Sequence, residues 1–102
     1  MKKWILYENG TTIGKAGSES GRILRDETYQ DTCRITLEKT NPIPYSITCG
    51  IYGFMCHTAF ASTEPQAKET YECMKKELEA FIDADTDEAY AVEWVERFVE
   101  KW

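Results

Sequence analysis

Cys56 and His57 are neighbours, and a thiol beside an imidazole is the raw material of a nucleophile and its base. The surrounding residues, Phe54 to Phe60, read as a β-strand, in which adjacent side chains point to opposite faces. The two groups therefore cannot form a dyad unless the strand is bulged, and Cys49 meets the same parity problem. Cys33, Cys49 and Cys56 could instead converge on a metal. The expected register sets them in one row across three neighbouring strands spaced ~4.8 Å apart. Zinc–sulfur bonds of ~2.3 Å then reach two thiols at most, and the spacings match no zinc motif.

Three further patterns imitate known chemistry and stop short. Asp83-x-Asp85-x-Asp87 begins like a calcium loop. Glu88 then stands where glycine makes the sharp turn, and Trp94 where the bidentate glutamate belongs. Gly10-Thr-Thr-Ile-Gly14-Lys15 has one residue too few between its glycines for a phosphate loop and lacks the following Ser or Thr. Gly17-Ser-Glu-Ser-Gly21 carries glutamate where a nucleophile elbow needs serine. The sequence thus presents no catalytic constellation, and no metal or cofactor is expected. The cysteines read as reduced and mostly buried small hydrophobes, with Cys73 flanking a helix stripe.

The elements that would carry these residues follow from hydrophobic periodicity. Asn9-Gly10 between β-formers predicts a hairpin with a type I′ turn, setting Leu6 opposite Ile13. Residues 15–21 read as a flexible loop, and a third strand is expected over 22–28. Residues 32–39 and 45–52 alternate cleanly, separated by Asn41-Pro-Ile-Pro44. A two-residue turn at Tyr52-Gly53 would set Ile51 opposite Phe54 and Cys49 opposite Cys56. One face then collects Cys33, Ile35, Leu37, Ile47, Cys49, Ile51, Phe54, Cys56 and Phe60. The other collects Arg34, Thr36, Glu38, Thr48, Gly50, Met55 and His57.

Thr63-Glu-Pro-Gln66 is a capping box. Ala67, Tyr71, Met74, Leu78, Phe81 and Ile82 recur at helical spacing and predict a helix over 64–83. Asp85-Thr-Asp-Glu88 caps a second helix over 87–101, whose stripe holds Trp94, Phe98 and Trp102. Trp102 is expected to pack against the sheet. The whole is one α+β domain over 1–102: an antiparallel, meander-like sheet of about five strands in 1–62, and two C-terminal helices over 63–102 packed on one face.

With 102 residues, 42% of them apolar, the chain can bury a core of its own. Its net charge is −6, and residues 64–102 hold twelve acids against five bases. Such a surface repels nucleic-acid phosphates and anionic lipid, and suits a basic protein partner. The N-terminal apolar run, Trp4 to Tyr7, is shorter than the roughly 7–15 residues of a signal core, which predicts a cytoplasmic chain.

What remains for function is surface. Arg34, Thr36, Thr48, Tyr52, Met55 and His57 are the expected binding residues, on the sheet face that the helices leave uncovered. The expectation is a non-enzymatic binding or regulatory module acting on a protein partner, with homodimerisation through a strand edge as a further possibility. A small-molecule site between sheet and helices, lined by Tyr71, Trp94, Phe98 and Phe54, is the alternative. An enzyme using His57 with Arg34 or Glu38 is the third.

Overall fold

A computed structural model describes residues 3–102. Met1 and Lys2, which open the run weighed as a targeting segment, lie outside it. The five strands are β1 (Trp4–Leu6), β2 (Arg22–Tyr29), β3 (Cys33–Lys39), β4 (Tyr45–Ile51) and β5 (Met55–Ala61). They form one antiparallel sheet in the order β1-β2-β3-β4-β5. Helices α1 (Glu64–Ala84) and α2 (Glu88–Lys101) follow and cover one face. This is the α+β meander that the alternation and the two capped stripes predicted. No helix among the described residues is long and apolar enough to cross a membrane.

The caps act as the sequence indicates. The Thr63 hydroxyl accepts from the Gln66 amide at 3.3 Å, and the Asp87 carboxylate accepts from the Tyr90 amide at 2.8 Å. Between the helices Asp85 takes a left-handed conformation, with φ 49°, which stops α1. Ala67, Tyr71, Met74 and Leu78 form the buried stripe of α1 and lie on Cys33, Ile35, Leu37, Ile47, Cys49 and Ile51 of the sheet. An aromatic column closes the second helix onto this core. Phe81 stacks on Trp94 with centroids 4.1 Å apart, Trp94 on Phe98 at 4.8 Å, and Phe98 and His57 meet in a T-shaped contact at 6.2 Å. Trp102 is half-buried against the same core, with the Lys101 ammonium 4.9 Å from its ring centroid.

Two hairpin expectations fail, each for a definable reason. The N-terminal one does not form. Glu8, Asn9 and Gly10 all take positive φ, making a tight turn over Tyr7–Gly10 instead of a two-residue hairpin. β1 pairs with β2, setting Trp4 opposite Tyr29. That choice stacks the two rings at 5.1 Å and lets the Trp4 indole donate to Glu79 on α1, burial that a local hairpin with 11–14 would forgo.

The β4–β5 turn is one residue longer than expected. Ile51 faces Met55 across a three-residue connection, and the Phe54 amide donates to the Ile51 carbonyl at 2.9 Å. Only Gly53 takes positive φ, at 73°, whereas a two-residue primed turn would also demand it of Tyr52. One residue of slip exchanges the faces of the whole strand. Met55 and His57 therefore join the helix side, and Cys56 and Phe60 move to the open side. Cys49 faces His57, and Cys56 faces Gly50. Cys33 faces Ile51, so the expected row of three cysteines does not exist.

Candidate functional site

The open face is built from three cross-strand rows. Arg34, Gly50 and Cys56 make the first, Thr36, Thr48 and Thr58 the second, and Glu38, Ser46 and Phe60 the third. Its β2–β3 half is closed by the segment 12–21, of which 15–21 reads in the sequence as a flexible loop and 12–14 as part of a hairpin strand. Two fully buried carboxylates hold that segment down.

Asp26, opposite Thr36, is the first of them. Its Oδ1 accepts from Arg34 Nε at 2.8 Å and from the Thr36 hydroxyl at 3.0 Å. Its Oδ2 accepts from Arg34 Nη2 at 2.7 Å and from the Thr12 hydroxyl at 2.8 Å. Four donors, two of them from one guanidinium, meet the needs of a carboxylate with no access to water. Glu38 is the second. It accepts from the backbone amides of Glu19, at 3.3 Å, and Gly21, at 3.0 Å. Gly17 lies so close that a Cβ there would fall 2.3 Å from the Glu38 carboxyl carbon. The glycine–serine run that resembles a nucleophile elbow is thus a backbone cradle for one carboxylate.

Beside this covered half lies a hollow of about 370 Å³. Gly50 stands in its floor, where the missing side chain leaves backbone exposed between Arg34 and Cys56. Thr36, Thr48, Tyr52, Met55 and Cys56 line it, with Gly17 and Ser18 on the loop side. The Arg34 side chain is fixed in its wall. The Asp26 hydrogen bonds, then its charge, hold the guanidinium pKa above its ordinary value, against the opposing effect of burial. The guanidinium also stacks 3.8 Å from the Tyr7 ring centroid. Asp26 uses the Nε–Nη2 edge, which leaves the Nη1 amino group without a protein partner among the described residues. Across the floor, the Thr48 and Thr58 hydroxyls share a hydrogen bond of 3.1 Å.

Five of the six residues singled out by sequence thus converge on one hollow: Arg34, Thr36, Thr48, Tyr52 and Met55. Met55 reaches it from the end of the sheet while packing on the helix-side core. His57 does not join them. It lies on the helix side against Phe98, with Nε2 buried and without a hydrogen-bond partner. Arg34 and Glu38 are on the opposite face, so the structure does not assemble His57 with either. Periodicity missed Cys56, Asp26 and the glycine cradle. An acid in mid-strand opposite an arginine-bearing strand was the available signal for Asp26.

The space between sheet and helices is filled by side chains, with Tyr71 and Phe98 buried. Its polar end holds Glu27, which accepts from the Tyr71 hydroxyl at 2.7 Å and from Lys75 at 3.0 Å. Burial pushes the Glu27 carboxyl up. These two hydrogen bonds, with the charges of Lys75 and Arg25, outweigh it and leave the pKa below the ordinary value. No group of three or more His, Cys, Asp or Glu side chains placed to hold a metal ion occurs among the described residues. Comparison with protein-family models, with curated protein sequences and with solved structures yields no match.

Proposed function

We propose that this protein is a non-enzymatic binding module that receives a protein partner on the open half of its sheet face. The hollow over Gly50, with a prefixed arginine in its wall, is the observation that carries this reading. An arginine already locked by Asp26 and Tyr7 loses little side-chain freedom on binding, which lowers the entropic cost of association. Tyr, Met and Arg are the residue types enriched at such surfaces, and Tyr52 is 55% exposed beside the hollow. The partner side chain that enters should accept hydrogen bonds from Arg34 Nη1 and present an apolar body to Ile23 and Met55, which also line the hollow. The acidic helical half favours a partner with net positive charge, because opposite fields speed encounter.

The test is affinity capture with wild-type, Gly50→Val and Tyr52→Ala protein, followed by titration of the purified captured partner. Gly50→Val should place a branched side chain on the floor of the hollow without unfolding the strand, because a Cβ at Gly50 meets its nearest atom, the Met55 carbonyl oxygen, at an ordinary 3.4 Å. The expected result is a loss of tenfold or more in affinity for both variants. Unchanged affinity in both would refute the assignment. The size of the hollow also lies in the range of small-ligand cavities, roughly 300–1,000 Å³. A thermal shift with a metabolite, abolished by Gly50→Val, would favour that second reading.

A further inference from the structure

We propose that the protein self-associates into a two-fold dimer through the outer edge of β5, extending the sheet antiparallel from one protomer into the other. The inference is independent of what occupies the hollow.

A strand edge presents a row of amides and carbonyls that bond to water in a monomer and form a ready template for another extended chain. Monomeric proteins blunt such edges with charge, proline, bulges or shortness. β1, at one side of the sheet, has three residues and runs straight into a left-handed turn. β5, at the other side, has seven residues, Met55-Cys-His-Thr-Ala-Phe-Ala61, with no charged residue and no proline. Its pairing with β4 is unbroken, and no backbone hydrogen bond among the described residues reaches its outer side. Phe60 is 50% exposed there.

A second observation places the same kind of partner at the same edge. Val92, Val95 and Val99 are three and four residues apart and form one stripe along α2. Val92 and Val99 are exposed. Trp94 and Lys101 occupy the roughly opposite flank, and both touch α1, through Phe81 at 4.1 Å and Glu77 at 2.7 Å. The valine stripe therefore faces away from α1. Side chains of α1 reach β1 and β2 through the Trp4–Glu79 and Tyr71–Glu27 hydrogen bonds, whereas Phe98 of α2 meets His57 on β5. Moving from α1 to α2 is moving toward the β5 edge, so the stripe looks out over that edge.

One two-fold axis perpendicular to the sheet satisfies both features. Antiparallel pairing centred on Thr58 aligns all seven residues of β5. It sets Thr58 against its own copy and Cys56 against Phe60, with no like charges opposed. The same axis keeps both helical layers on one side and brings the two valine stripes toward each other. A second copy of this chain fits better than an unrelated peptide, since an unrelated strand would leave the stripe bare. Both hollows then lie on the opposite, common face.

The test is sedimentation equilibrium from about 1 to 100 µM. Wild-type protein should show twice the 11.8 kDa chain mass in this range. Phe60→Lys and Val99→Glu, both at exposed positions, should each weaken association by at least tenfold with unchanged far-ultraviolet circular dichroism. A wild-type protein monomeric at 100 µM would overturn the proposal, as would a dimer indifferent to both substitutions. Val99 lies on α2, on the side of the sheet away from the hollow, so a monomeric Val99→Glu that still takes a protein partner would separate the two readings.

Discussion

The two halves of the open sheet face belong to one antiparallel sheet, yet they end differently. The β2–β3 half carries two carboxylates that cannot reach water, Asp26 and Glu38, and each recruits part of the 12–21 segment as its hydrogen-bond donors. The β4–β5 half carries hydroxyls, a glycine, a thiol and Phe60, none of which demands a cover. The difference teaches that a buried charge can organise a loop that hydrophobic patterning leaves unconstrained. The cost of an unsatisfied carboxylate exceeds the entropy of ordering a short glycine-rich turn. The uncovered half is thereby left for a partner.

Substitutions can break that comparison in graded steps. Asp26→Ala should have the largest effect, about 3 kcal/mol of stability measured by denaturant titration. That is the low end for breaking a buried ion pair, because Arg34 remains 33% exposed and can rehydrate. Glu38→Ala should cost about 2 kcal/mol, since the amides of Glu19 and Gly21 lose their acceptor. Its signature is local: amide exchange at these two residues should accelerate while β4 and β5 keep their protection.

The helix-side face supplies a contrast with pH. Burial pushes the Cys33 and Cys49 thiols up to about 12, from an ordinary value of 9.0. In the unfolded chain these thiols deprotonate first, so folding stability is intact below pH 9 and falls as pH rises from there toward 12. The slope should be about 1.4 kcal/mol per pH unit for each thiol, and replacing either by alanine should flatten it. Gly50→Val should be the mildest change, within about 0.5 kcal/mol of wild type, because it adds a β-branched residue to an open strand surface.

Much of this architecture was legible in the sequence. Alternation over 33–39 and 45–51, and the two capped helical stripes, specify the sheet, the helices and the face they share. Arg34, Thr36, Thr48 and Gly50 were placed correctly because they sit on strands with unambiguous period. β5 was not, because its faces depend on turn length. Tyr52-Gly53-Phe54 supports either a two- or a three-residue connection until the φ preference of Tyr52 is weighed. The 12–21 segment was illegible for a different reason. Its order comes from carboxylates on β2 and β3, long-range partners that local composition cannot reveal.

The register of β5 is the hinge of the account, since it decides which residues floor the hollow and which join the core. Site-resolved labelling of the native protein with a small thiol reagent reads it directly. Cys56, exposed on the open face, should react far faster than Cys33 and Cys49. Cys33 and Cys49 should react only through unfolding, slower by the folding equilibrium constant. Protection of Cys56 to the level of Cys49 would place it in the core and contradict the register, the hollow and the proposed docking face together.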